Sequence, residues 1–551
     1  MPDSGDKGPN NGDMHMHVRF ARPPGSNDPI YFIGPFGSRV SFESQQKRAL
    51  NIVGSLLGLG HIKPLHKVAV VGAGLAGLMA TLALSARGQH VELFEASEGP
   101  LTLQAGAFHR FIHPSVNFWP IHDAVRTTRL PFLDWYSADG RAVIETLTRQ
   151  WVGPDDGHVR GFDSEEVKPL VSYLNLPPHY GHRMKLERFE AGKVVMSALE
   201  RTGEFEFDVV LLAMGFGVEE TFDDPDQKAY WNHDFLEQRA RNPGQHIIVS
   251  GTGDGGLIDC LRLVYSDFRK GDFPLTVIKR LEEGKFETRS SLREIENQAP
   301  AGPDLAARAT YFEAKYEELI AQLKPDLKRW LWEHLLRTDD GDYPNRIELV
   351  SPLPAPYETT AAVINRFLLA FALKQDALIF RPGLTISRAA GQYVLKSAAG
   401  DETVPKSTRV IIRHGPKQAL AGFIDDASQE KEFKFHQLGA DSYTSEASFP
   451  ISMFVPEDSK IPSLAHYPDE YALSRLPVAL NFVFDRYAHA VELEEDADGR
   501  PVYQMTGLPE SLSRSLDPIA TLPETVFGVK LEPPSRNANS SRTAFGARPS
   551  K

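Results

Sequence analysis

The stretch KVAVVGAGLAGLMATLALSARGQHVELFE, residues 67–95, decides the fold. Lys67–Val71 is an apolar, β-branched run of the length of one buried strand. Gly72, Gly74 and Gly77 follow at G-x-G-x-x-G spacing, with Ala73, Leu75 and Ala76 between them. An Ala/Leu-rich helical pattern runs from Leu75 to about Arg87 and stops at Gly88, a residue suited to a helix C-cap. His90–Phe94 reads as a second strand, with Glu95 at its end. In such a strand–turn–helix–strand unit the first glycine permits the tight turn. The second lets the backbone approach a pyrophosphate, and the third lets helix pack on strand. The helix N-terminus offers free N–H groups and a positive dipole to phosphates. An acid about twenty residues on can accept hydrogen bonds from ribose hydroxyls. Residues 72–77 and Glu95 are therefore the first candidate cofactor-binding set.

Working outward, 551 residues are too many for one core, so two or three domains are expected. Hydrophobic residues make up 41%, an ordinary globular share. Lys and Arg number 60 against 73 Asp and Glu, a net charge of −13, which argues against a nucleic-acid partner. The single cysteine, Cys260, excludes a dithiol pair on this chain. The polar N-terminus has no signal-peptide core, and the apolar run Ile52–Gly60 is too short to span a bilayer. A cytoplasmic protein without a membrane partner is the expectation. Self-association into a homo-oligomer is left open. No metal-ligand spacing stands out; His15 and His17 fall in a polar tail.

Residues 1–28 read as a flexible arm. Residues 29–66 read as an extension, with strand-like Ile30–Phe36 and Arg39–Phe42 and a helix over Gln45–Leu57. After Glu95 comes Gln104–Pro120, QAGAFHRFIHPSVNFWP, crowded with His109, Arg110, His113 and aromatics. Either this loop meets cofactor or substrate, or its aromatics are core and its polar groups satisfy backbone. On the first reading His109, Arg110 and His113 are the catalytic candidates. Ser164–Leu174 has a helical pattern. Arg183–Glu190, Lys193–Leu199 and Glu204–Phe207 look like a meander, and Asp208–Gly217, DVVLLAMGFG, like a buried strand ending in small residues.

The glycine turn, Glu95, the meander and a strand ending LLAMGFG together resemble the FAD domain of flavoproteins with two dinucleotide-binding domains. These include the flavin monooxygenases and related reductases. The resemblance places Ala213, Gly215 and Gly217 beside FAD and implies a second Rossmann-type domain. Such a pattern follows. His246–Ser250 is strand-like, and Gly251, Gly253 and Gly256 repeat the spacing in GTGDGG. Leu257–Arg269 is helical. Leu275–Ile278 reads as the next strand, ending in Lys279-Arg280, a pair that suits the extra phosphate of NADPH better than NADH, or is a solvated strand end. Asp254 inside the turn caps the helix on this reading, and Gly-Asp here resembles pyridine-nucleotide domains of the thioredoxin-reductase type. Residues 282–343 read as a helical insertion. Arg346–Val350 (strand), Thr359–Leu373 (helix), Leu378–Phe380 (strand), Thr385–Ser397 (meander) and Ser407–Gly415 (closing strand) then repeat the order seen after the first turn.

The expected fold class is thus α/β. Two Rossmann-type domains, residues 67–244 for FAD and 245–416 for NAD(P), each carry a β-meander. The helical insertion, a mixed C-terminal segment (417–532) and a disordered tail (533–551) complete the chain. The family's Gly-Asp for the ribityl chain finds only a partial match in Gly439-Ala440-Asp441. The resemblance implies an enzyme in which NADPH (or NADH) reduces FAD. With no dithiol, oxygen is the simplest acceptor, and a small amine- or sulfur-containing substrate would fit a monooxygenase. The alternatives are an amine or amino-acid oxidase, whose Gly-Gly-Arg segment Gly106–Arg110 loosely resembles, and a non-catalytic dinucleotide-binding sensor.

Overall fold

The computed structural model describes residues 11–417 except 24, 34–39, 127, 129, 131, 154–168, 201–202, 216–217, 220, 237–242, 269–272, 284–286 and 301–303. Beyond 417 it describes Phe423, Phe433 and residues 490–495, 501–506, 530–531 and 542–548.

The first half runs α1 (Asn11–Ala21), β1 (Ile30–Phe32), α2 (Phe42–Gly58), β2 (Lys67–Val71), α3 (Leu75–Ala86) and β3 (His90–Glu95). Two short strands, β4 (Phe111–Ile112) and β5 (Ala138–Asp139), lead to α4 (Gly140–Val152). Then come β6 (His179–Tyr180), the meander β7 (Met184–Glu190), β8 (Lys193–Ala198) and β9 (Glu204–Phe207), and the closing strand β10 (Val209–Leu212). The sheet order is β1-β10-β2-β3-β6, with every neighbouring pair parallel. Val209–Leu212 is buried throughout, as a strand covered on both faces must be. One face packs on α1, α2 and α3 through residues such as Val53, Leu56, Leu78 and Leu82. The other packs on the meander through Phe94, Val194, Met196 and Phe207.

The second half repeats this three-layer plan. β11 (Val218–Glu219) and β12 (His246–Ser250) precede five described helices. The four after α5 (Asp254–Val264) are α6 (Phe273–Glu283), α7 (Glu287–Asn297), α8 (Leu305–Gln322) and α9 (Pro325–Glu333). β13 (Arg346–Ser351), α10 (Val363–Lys374), β14 (Ile379–Pro382), the meander β15 (Thr385–Ala389), β16 (Gln392–Ser397) and β17 (Gly400–Thr403), closing β18 (Arg409–Ile412) and β19 (Pro416–Lys417) follow. The sheet order is β14-β13-β12-β18, again parallel. Its helical face buries Leu257, Leu261, Phe367 and Leu368, and its meander face buries Ile386, Leu395 and Ile412. β11 and β19 pair antiparallel, so the segments leaving the two closing strands meet.

Several expectations are corrected. Residues 11–21 of the expected flexible arm form α1, whose Val18 and Ala21 are buried and whose His17 Nδ1 lies 3.0 Å from Ser55 Oγ. Within the 29–66 extension, Ile30–Phe32 is an edge strand of the first sheet itself, and Ser41 starts α2 with a capping box through Ser44. The proposed strand Leu275–Ile278 is part of α6; its Leu275, Val277, Ile278 and Leu281 are buried at helical spacing. Lys279 and Arg280 therefore stand on a helix, with Arg280 bonded to Glu283. The helical insertion accordingly begins before residue 282. In the expected disordered tail, Arg542–Arg548 forms β23, paired in the order β20-β21-β23-β22 with β20 (Ala490–Glu495), β21 (Pro501–Thr506) and β22 (Lys530–Leu531). Gly439–Asp441, Gly217, residues 34–36 of the Ile30–Phe36 expectation, residue 39 of the Arg39–Phe42 expectation and residues 164–168 of the Ser164–Leu174 expectation lie outside the described residues; of the last, Leu170–Tyr173 forms a single 3-10 turn.

Candidate functional site

The register of the two sheets aligns the two glycine turns residue by residue. Val71 pairs with Phe94, so Gly72 and Glu95 come next. Ser250 pairs with Val350, so Gly251 and Ser351 come next. Gly72 takes φ +105° and Gly251 φ +121°, conformations open to glycine. A Cβ on Gly77 would lie 1.9 Å from the Gly72 carbonyl oxygen, and one on Gly256 would lie 1.9 Å from that of Gly251. These third glycines thus permit the helix to close on its own turn. At Gly74 a Cβ would meet nothing within 4 Å, and at Gly253 only Thr360 Oγ1 at 3.7 Å. The middle glycines face open space, as a backbone meant to touch a pyrophosphate does. Neither helix start carries a side-chain cap, which leaves first-turn N–H groups for a ligand.

Both turns open on one cavity of about 1360 Å³, lined by Gly72, Gly74 and Glu95 on one side and Gly251, Gly253 and Ser351 on the other. That exceeds the roughly 300–1,000 Å³ of a pocket for one small ligand. Glu95 is fixed by two backbone donors, Ala73 N–H at 2.7 Å and Ser97 N–H at 2.8 Å. Ala213 follows β10, its carbonyl oxygen 2.4 Å from where a Gly72 Cβ would lie, and Gly215 takes φ +72°. Asp254 does not cap its own helix; its Oδ1 accepts from Ala362 N–H at 2.9 Å and Asn365 Nδ2 at 2.8 Å, holding the start of α10.

Of the three catalytic candidates, His109 and His113 line this cavity with Arg110. His113 packs on Phe111, ring centroids 4.6 Å apart, and His109 on His233 at 5.3 Å. Arg110 has another task. It is 3% exposed and all three of its guanidinium nitrogens are engaged. Nε donates to the Tyr230 carbonyl (2.9 Å), Nη1 to Asp259 (2.5 Å) and Nη2 to Asp234 and Asp259 (3.4 Å each). Its fork is spent on carboxylates of the chain itself rather than offered to a ligand.

Asp259 is the centre of that cluster. It also accepts from Arg262 Nη1 (2.8 Å) and Arg413 Nε (2.7 Å). Burial alone would raise its carboxyl, but Arg110, Arg413 and Arg262 hold it far below the ordinary carboxylate range. Glu219 goes the other way, because burial outweighs Arg413 and raises it. His414, which lines the cavity 2.8 Å from Ser250 Oγ, is lowered by burial. Glu219, His414, Ser351 and Glu358 are cavity-lining groups missed from sequence. Alignment of STRVIIRHG with DVVLLAMGFG carries the signal for His414, and no local pattern carries one for Glu358. Among the described residues no cluster of three or more His, Cys, Asp or Glu could hold a metal ion. No described helix is long and apolar enough to cross a membrane.

Residues 70–127 match the family model of the NAD(P)-binding Rossmann-like domain. No curated protein matches the sequence. Among solved structures the chain is similar to the bacillithiol disulfide reductase Bdr of Staphylococcus aureus, at 9% identity over 63% of this chain and 76% of that one, TM-score 0.34. It is similar to Lactococcus lactis thioredoxin reductase at 12% identity over 66% and 81%, TM-score 0.31. It is also similar to OTEMO, solved in complex with FAD and NADP, at 11% identity over 66% and 74%, TM-score 0.31. These are distant likenesses, and neither activity nor substrate follows from them.

Proposed function

We propose that the chain is an FAD-dependent oxidoreductase reduced by a nicotinamide dinucleotide, with FAD on the first turn and NAD(P)H on the second. One observation carries the reading: two glycine turns that correspond position by position open on the same cavity. FAD, when bound, supplies the two-electron chemistry; the chain's own residues bind and orient. Gly74 leaves room for a pyrophosphate, the start of α3 offers N–H donors, and Glu95 presents a carboxylate already aimed by Ala73 and Ser97. Ala213 and Gly215 shape the wall beside it. His109 and His113 are the groups proposed to hold or move a proton at the cavity, since both line it and an imidazole can donate and accept a proton.

The electron acceptor is not a thiol of this chain. Cys260 is the single cysteine, it is fully buried on α5, and burial together with Asp259 pushes its thiol up, away from the reactive thiolate. Oxygen is the simplest acceptor on this reading, with a small amine- or sulfur-containing substrate. The test is the visible spectrum of the purified protein, followed by anaerobic addition of NADH or NADPH. A flavin band that bleaches supports the reading. A band that bleaches only with amines would turn it to an amine oxidase, and the lack of any flavin band after incubation with FAD would defeat it.

A further inference from the structure

We infer that Glu358, carried on the connection between β13 and α10, is the ribose-recognising acid of the second turn, and that it selects NADH over NADPH. The inference rests on the assignment of a nicotinamide dinucleotide to that turn. In the first turn, the register position after Phe94 is Glu95, whose carboxylate binds the N–H of Ala73, the residue between the first two glycines. In the second turn, the same register position is Ser351, which has no carboxylate. Its short side chain lies 3.2 Å from Thr252 Oγ1 and accepts the Leu353 N–H at 3.2 Å. Thr252 is the counterpart of Ala73, and its hydroxyl donates to Glu358 Oε1 at 2.5 Å. Thr360 Oγ1 donates to Oε2 at 3.3 Å. A carboxylate therefore reaches the second glycine turn at the residue that Glu95 addresses in the first, delivered from a loop rather than from the strand end. Glu358, Thr252 and Ser351 all line the cavity.

The surrounding charge agrees. A 2′-phosphate requires cations, and Lys279 and Arg280, the sequence candidates for that task, stand on α6. No lysine is among the described residues lining the cavity. Of the lining arginines, Arg110, Arg262 and Arg413 are bound to Asp234 and Asp259, and Arg183 stands beside β7 of the first half. Beside the second turn the charged side chains are Asp254, Glu358 and Arg413, and Arg413 is already held by Asp259 and Glu219. A vicinal ribose diol can donate to such a carboxylate, whereas a 2′-phosphate would be repelled by it.

The test uses the full-length, FAD-loaded protein and the oxidised coenzymes NAD⁺ and NADP⁺, which cannot reduce flavin, with binding read by calorimetry. The expected result is NAD⁺ binding at least ~10-fold tighter than NADP⁺, on the scale of one charge-assisted hydrogen bond. Glu358→Gln keeps the shape and the Thr252 contact; it should weaken NAD⁺ ~10-fold and leave NADP⁺ unchanged or tighter. Glu358→Arg should invert the preference. Tighter NADP⁺ binding by the unaltered protein, or an NAD⁺/NADP⁺ ratio that Glu358→Gln does not move, overturns the role of Glu358 while leaving the site assigned. Failure of both coenzymes to bind overturns the assignment of the second turn and this inference with it.

Discussion

Asp259→Asn is the substitution whose cost the structure fixes most closely. Asp259 is fully buried and accepts charge-assisted bonds from Arg110, Arg262 and Arg413, at 2.5, 2.8 and 2.7 Å. The same three guanidiniums also meet the carboxylates of Asp234 and Glu219. Asparagine keeps the volume but removes the charge and turns an amide donor toward other donors. An uncompensated cation in a dry site costs about 3–5 kcal/mol, so a loss of about 3 kcal/mol is expected, the amide oxygen still serving one donor. Urea unfolding should show a lower midpoint at an unchanged m-value. Adding Arg110→Met restores the charge balance, so the double variant should be more stable than the sum of the two losses by about 1 kcal/mol or more. The pH dependence has a definite sign. The folded carboxyl is depressed, so its contribution is present above the unfolded value near 4 and is lost only as pH falls below it. Asp259→Asn should therefore cost stability at pH 7 and flatten the decline below about pH 4. A loss under about 1 kcal/mol in a folded variant, or strict additivity with Arg110→Met, would refute the claim that this cluster holds the loop of Arg110 to α5 and β18.

Gly74→Val should give folded protein without FAD, since its Cβ meets no protein atom within 4 Å, whereas Gly77→Ala should lower the melting temperature, its Cβ falling 1.9 Å from a backbone oxygen; flavin content and melting curves on the same samples separate the two. His113→Ala should leave melting temperature and flavin content intact while turnover falls ~10²-fold, the usual effect of removing a positioned acid or base; joint loss of fold and flavin would show that the histidine only supports its loop. Replacing Lys279 and Arg280 with Ala should leave the NAD⁺/NADP⁺ binding ratio unchanged, since neither lines the cavity, and a selective loss of NADP⁺ would show that they reach the coenzyme.

What was legible in the sequence is what local chemistry determines. Lys67–Glu95 is read from a strand-length apolar run, three glycines and a helical period, and the structure has β2, α3 and β3 over that stretch. The apolar run Leu275–Ile278 misled because four apolar residues suit a strand and a buried helix turn alike; the helical spacing extended to Leu281 is what decides for α6. The expected arm hid a helix for a similar reason. Its first ten residues are polar, yet Val18 and Ala21 have the spacing of a buried face. The ionic cluster had no sequence signal at all, because Arg110 and Asp259 stand 149 residues apart and only the approach of loop, α5 and β18 brings them together.

The duplication explains both the success and the failure. Backbone demands are the same in the two halves, so the glycines recur and their spacing can be read. Side-chain demands differ, and they differ at corresponding places. Ala213 after β10 becomes Arg413 after β18, placing a cation where the first half has a methyl group. Asp259, one turn into α5, receives that cation, and Arg110 from the first half joins it. The acid at the end of β3 becomes Ser351 at the end of β13, and Thr252 in place of Ala73 supplies the hydroxyl that receives Glu358. Each replacement is paired with a compensating residue distant in sequence and adjacent in space. The glycine pattern therefore identifies a cradle of one shape used twice, and the residues that set what each cradle holds are found only by carrying the register of the first sheet onto the second.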